Sequence, residues 1–138
     1  MRFFLANFEV DTKLKKSRAI QPIQDEFKKE LIESKIEFFD SGFFSDYDLI
    51  WKEIESSDIL VAFIDEYWTC STWKAAELFY GSGGSPEKEN KYIEKPLKCF
   101  VYDISKNSNV TFLENRGLIV PFNGSLQDII NKMKLKKF

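Results

Sequence analysis

The chain of 138 residues contains no histidine. That absence excludes the hydrolases whose serine or cysteine is activated by histidine, zinc sites with imidazole ligands, and imidazole acid–base chemistry. Cysteine is scarce too. Cys70 and Cys99 are the two present, and their spacing matches neither a disulfide framework nor a CxxC metal or redox site, so both read as reduced thiols and no metal is expected. Long apolar runs are also missing. FFLA near the N-terminus is shorter than a signal-peptide core, and nothing approaches the roughly 20 apolar residues that span a bilayer. No excess of one charge exists, because 20 basic and 22 acidic residues leave a net charge of -2. The basic run Lys132 to Lys137 fits a solvated helix end rather than a nucleic-acid footprint, which needs a basic face with interleaved aromatics. The expectation is a soluble cytoplasmic protein with neither nucleic-acid nor membrane partners. An enzyme of this composition works with carboxylates.

What is present is a core-forming composition, 43% hydrophobic with 14 phenylalanines, sized for one domain over residues 1–138. Residues 2 to 8, RFFLANF, read as a first strand ending near Asn7. A polar loop over 9–19 leads to Pro22, which suits a first helical turn, and Ile20, Ile23, Phe27 and Leu31 then recur at helical spacing. Ile36 and Phe38 alternate with charged neighbours in a short strand closing at Phe39 and Asp40. DSGFFSDYD reads as a loop whose Phe43 and Phe44 either cover a site or fold back onto the core, and helical pattern resumes from Leu49 to Ile54.

Ile59 to Ile64 is continuously apolar, as in a parallel strand covered on both faces. A short polar loop then enters a helix carrying Trp73, Ala76, Glu77 and Tyr80 on one face, with Thr69, Ser71 or Thr72 available as its cap. A glutamate on such a face needs water, a partner or a ligand, because an unpaired buried charge is costly. The alternative is a tilted helix that sends Glu77 into solvent beside Lys74. GSGGSPEKENKYIEK reads as a hydrophilic loop; its glycines follow a helix rather than a strand, unlike a phosphate-binding turn. LKCFVYDI forms a fourth strand, residues 105–116 look irregular or weakly helical, LIVPF gives a fifth strand, and Leu126 to Met133 a last amphipathic helix. This alternation predicts a doubly wound α/β sheet of parallel strands with right-handed crossovers. Ligands of such sheets bind at the carboxyl ends of the strands, where Asn7, the Asp40 loop, Asp65 to Trp68 and the Glu77 helix would gather.

Ser71-Thr72-Trp73-Lys74-Ala75-Ala76-Glu77-Leu78 resembles the S-x-W-C-x-x-E-L motif of Toll/interleukin-1 receptor (TIR) domains, with Lys74 at the usual cysteine. The resemblance extends to the FFLAN strand, the KIEFFD strand ending in aspartate, and Ile54 to Ser57. It implies a flavodoxin-like, five-stranded fold and, in the enzymatic members, cleavage of NAD at its nicotinamide bond to give ADP-ribose or a cyclic isomer. NAD is then a substrate and no cofactor is required. Glu77 becomes the catalytic group by that match, and Asn7, Asp40, Phe43, Phe44, Trp68, Ser71 and Trp73 are the candidate substrate-binding residues. The aromatic ones either stack on nicotinamide or adenine or pack in the core. The same resemblance implies self-association and, in anti-phage defence, a product sensed by a separate effector protein.

MRFFLANF, SDILVAFID and ELFYG are similar also to segments of nucleoside 2-deoxyribosyltransferases, which use the helix glutamate as a nucleophile on the sugar. Ile50 occupies the position of their assisting aspartate, and Lys74 breaks their G-T-x-x-E spacing. A third possibility implied by the resemblance is a TIR module that assembles with partners without catalysis.

Overall fold

The computed structural model describes residues 1–6, 19–42, 46–65, 72–84, 92–104 and 108–135. Among these, strands β1 (Arg2–Ala6), β2 (Glu37–Asp40), β3 (Ile59–Ile64), β4 (Lys98–Asp103) and β5 (Val120–Pro121) alternate with helices α1 (Gln21–Glu33), α2 (Tyr47–Glu55), α3 (Thr72–Gly81), α4 (Ser108–Asn115) and α5 (Leu126–Leu135). The strands form one sheet in the order β2-β1-β3-β4-β5, with every pairing parallel. This is the doubly wound, flavodoxin-like α/β architecture expected from the sequence.

Side-chain alternation along the central strands divides the core in two. Phe3, Leu5, Val61, Phe63 and Phe100 face α1 and α5, where Phe27 packs edge-on against Phe63 and Phe122 with ring centroids 5.4 and 5.9 Å away. Phe4, Ala6, Leu60, Ala62, Ile64 and Val101 face the other side, with Ile50, Trp51 and Ile54 of α2, Leu78 and Tyr80 of α3, and Val110 of α4. A strand buried on both faces has no polar side to alternate with, which is why Ile59–Ile64 is apolar throughout. No helix of the described residues is long and apolar enough to cross a membrane.

Several boundaries differ from the sequence reading. α2 starts at Tyr47 because the Asp46 carboxylate accepts the Leu49 N–H at 3.2 Å, drawing Tyr47 and Asp48 out of the expected loop. Residues 108–115 form a regular helix, held by Val110 and by the partly buried Leu113 against the α2–α4 side of the core. Gly81 closes α3 rather than opening the following loop.

Helix ends are tied to their neighbours. α1 terminates with Lys35 at φ 56, and the Ile36 N–H returns to the Leu31 carbonyl at 3.0 Å. At the start of α5, Ser125 Oγ accepts the Asp128 N–H, Asp128 accepts the Asn123 N–H at 2.8 Å, and Glu30 of α1 accepts the Leu126 N–H at 3.1 Å. At the opposite edge of the sheet, Arg2 bridges Glu37 of β2 and Glu53 of α2.

Candidate active site

The height of Glu77 in the fold follows from the two ends of α3. Its last residue, Gly81, lies against the start of β3: a Cβ built there would stand 2.6 Å from Leu60 Cδ1, and the Gly81 carbonyl accepts the Leu97 N–H at 2.8 Å, just before β4. α3 therefore runs antiparallel to the strands, with its first turn toward their carboxyl ends. At 1.5 Å per residue, Glu77 is about 6 Å above Gly81 along the helix. The same climb along β3, at about 3.3 Å per residue, leads from Leu60 to Ala62.

Ala62 pairs in register with Ala6, the last residue of β1. Both point to the face that α3 covers, and both are fully buried. Glu77 is thus level with the carboxyl end of β1, on the helix that covers the face where Ala6 and Ala62 lie. β1 and β3 flank the point where the chain order reverses, since β1 leads to β2 on one side and β3 to β4 on the other. Crevices at such reversals are the usual ligand sites of doubly wound sheets.

Of the two orientations open to the sequence, the structure has the inward one. Glu77 is 2% exposed, and both carboxylate oxygens are shielded from solvent. Tyr80, three residues on, is equally buried and donates its hydroxyl to Glu55 Oε1 at 2.7 Å, while its ring lies 5.0 Å from that of Trp51. α3 is in this way fixed against rotation, and Glu77 with it. A carboxylate held away from water acts on a nearby developing positive charge more strongly than a solvated one does.

Asp40 ends β2 with its side chain already engaged. It forms an ion pair with Lys28 of α1 and accepts the Gly42 N–H at 3.0 Å. Ser41 follows, fully buried, with both its N–H and its hydroxyl donating to the Leu5 carbonyl at 3.1 Å. These bonds fasten the β2 exit to β1 at the carboxyl edge of the sheet. Asn7, Phe43, Phe44, Trp68 and Ser71 lie outside the described residues, and Trp73 is placed in the first turn of α3 by its backbone alone. No family model, curated protein or solved structure matches the chain.

Two further polar residues near this edge are buried, and one of them, Gln24, was not singled out from the sequence. Asp65, directly after β3 at the carboxyl edge named from the sequence, is 4% exposed. Gln24 is 1% exposed on the inward face of α1. It continues the Ile20, Phe27, Leu31 stripe, where an amide is out of character.

Other features are set apart from Glu77. A cleft of about 350 Å³ opens at the β4–β5 end, lined by Tyr102, Asp103, Thr111, Glu114 and Phe122 among others, and Glu77 is not part of its wall. Cys99 is buried in β4, and burial pushes its thiol up to about 12, which leaves no thiolate for nucleophilic chemistry at neutral pH. No cluster of acidic or cysteine side chains suited to a metal ion occurs among the described residues.

Proposed function

We propose that the chain is a TIR-like enzyme that cleaves the nicotinamide–ribose bond of NAD, with Glu77 as the catalytic carboxylate. The observation that carries this reading is the burial of the Glu77 carboxylate level with the end of β1, at the β1–β3 reversal. Carboxylates buried at the carboxyl edge of a doubly wound sheet are the kind of group that functional sites use.

The chemistry needs one such group. The C1′–N bond breaks with its electron pair going to nicotinamide, which leaves neutral because it is cationic in NAD, so no general acid is required. The sugar is left oxocarbenium-like, and Glu77 stabilises that charge while water, or a nitrogen of the adenine, bonds to C1′ and a proton departs. The products are nicotinamide and either ADP-ribose or its cyclic isomer. Under this reading the protein acts in the cytoplasm, self-associates, and supplies a product that a separate effector senses in anti-phage defence.

The test is to incubate the purified chain and Glu77→Gln with NAD and with a panel of deoxynucleosides, following free nicotinamide or base by chromatography. Nicotinamide release by the wild type, reduced at least about 100-fold in the variant, is expected. Base release from deoxynucleosides with NAD untouched would replace this reading by a deoxyribosyltransferase. Inactivity on both at high protein concentration would replace it by an assembly module.

A further inference from the structure

Gln24 breaks the rule that buried polar groups find partners. It is 1% exposed, and neither its Oε1 nor its Nε2 makes a hydrogen bond. Gln21, one turn earlier on the same side of α1, adds a third such atom: its Nε2 donates to Asp25 at 2.9 Å, but its Oε1 is shielded and makes no bond. A methionine or leucine would fill the Gln24 position without this penalty, so the amide is retained at the expense of stability.

Its location gives the reason. α1 begins after β1 has left the carboxyl edge and ends before β2 begins at the other, so its N-terminal turns stand at the carboxyl edge. Phe27 packs on Phe63, near the end of β3, and Gln24 is one turn closer to the edge, about 4.5 Å along the helix. On the next turn Lys28 reaches Asp40 at the end of β2. The start of α1 has no side-chain cap, with Ile20 at the cap position and Pro22 in the first turn. Gln24 and Glu77 therefore occupy opposite faces of the sheet beside one reversal point, the arrangement in which a dinucleotide lies with its halves on either side.

We propose that Gln24, assisted by Gln21, is the adenine-reading subsite of this crevice. The inference rests on the assignment of Glu77 to the nicotinamide half, which leaves adenine for the α1 side. A glutamine amide matches adenine with two bonds, Oε1 accepting from the N6 amino group and Nε2 donating to N7. Hypoxanthine carries an oxygen at that position in place of the amino group and leaves Oε1 without its donor. Adenine-containing dinucleotides are thus selected over their hypoxanthine analogues.

Calorimetric titration of the wild type and Gln24→Met with ADP-ribose and with its hypoxanthine analogue tests this, alongside urea unfolding of both proteins and the nicotinamide-release assay. The wild type should bind ADP-ribose at least about 10-fold more tightly than the analogue, the return expected of one good two-bond contact to a base. Gln24→Met should bind the two equally and unfold at a higher urea midpoint. Equal binding by the wild type, discrimination that survives in Gln24→Met, or a lowered midpoint would each overturn the subsite. Nicotinamide release without adenine discrimination overturns the subsite and leaves Glu77 in its role. Adenine discrimination without nicotinamide release does the reverse, and failure to bind ADP-ribose together with failure to release nicotinamide removes both.

Discussion

Tyr80 donates its phenolic hydroxyl to Glu55 Oε1 at 2.7 Å, joining the helix that carries Glu77 to the last turn of α2. The ring is fully buried against Trp51, so Phe fits the same space and the hydroxyl alone is removed by Tyr80→Phe. Glu55 is exposed and its charge is screened, which keeps the expected loss near 1 kcal/mol. Urea unfolding would measure that loss. If the proposed NAD cleavage holds, nicotinamide release should fall as well, because α3 is freer to rotate and Glu77 turns with it.

Gly81 sets how closely α3 approaches β3. In Gly81→Ala the helix gains about 1 kcal/mol in propensity, while the added methyl meets Leu60 Cδ1 at 2.6 Å in a fully buried position. Overpacking of this kind costs about 1 to 3 kcal/mol, so the net change should be a loss of about 1 kcal/mol. Thermal unfolding reads it as a lowered Tm; an unchanged or raised Tm would mean that α3 is not seated on β3 as closely as Gly81 allows.

The start of α5 should impose a pH dependence at the acid end. The Asn123 N–H bonded to Asp128, then Lys132 beside it, hold the Asp128 carboxyl below its ordinary value. A folded-state pKa below the unfolded one gives stability that is present above the unfolded value of about 3.9 and is lost as pH falls through the folded value. Asp128→Asn should therefore unfold at a lower urea concentration than the wild type at pH 7. The gap should close as pH drops below about 4. A gap that persists at pH 2 would assign the effect to packing.

The parts of this fold legible in the sequence are those set by pattern over several residues. Ile59–Ile64 is apolar without interruption because both its faces are covered, and Glu77 stands out because it interrupts an apolar helix face. Features that depend on a single local contact were harder to read. DSGFFSDYD holds Asp40, Ser41, Ser45, Asp46 and Asp48 as rival caps, and spacing alone does not select Asp46. The α4 segment opens with Ser108 and Asn109, poor helix formers, and becomes helical where Val110 and Leu113 bury against the sheet's helices, a tertiary gain that local propensity does not contain. Gln24 is hidden for another reason: polarity normally marks the outer face of a helix, so a buried amide passes as a surface residue until its exposure is known.

β5 is two residues long, and the second is Pro121. Proline has no N–H to offer, so a further strand laid along this margin would lack one of the donors that knit a sheet together. Elongation by strand addition is thus blunted at β5, and any self-association would have to use helices, loops or the β2 side, where Glu37 is exposed. Filaments built by continuing the sheet past β5 are disfavoured by a single residue.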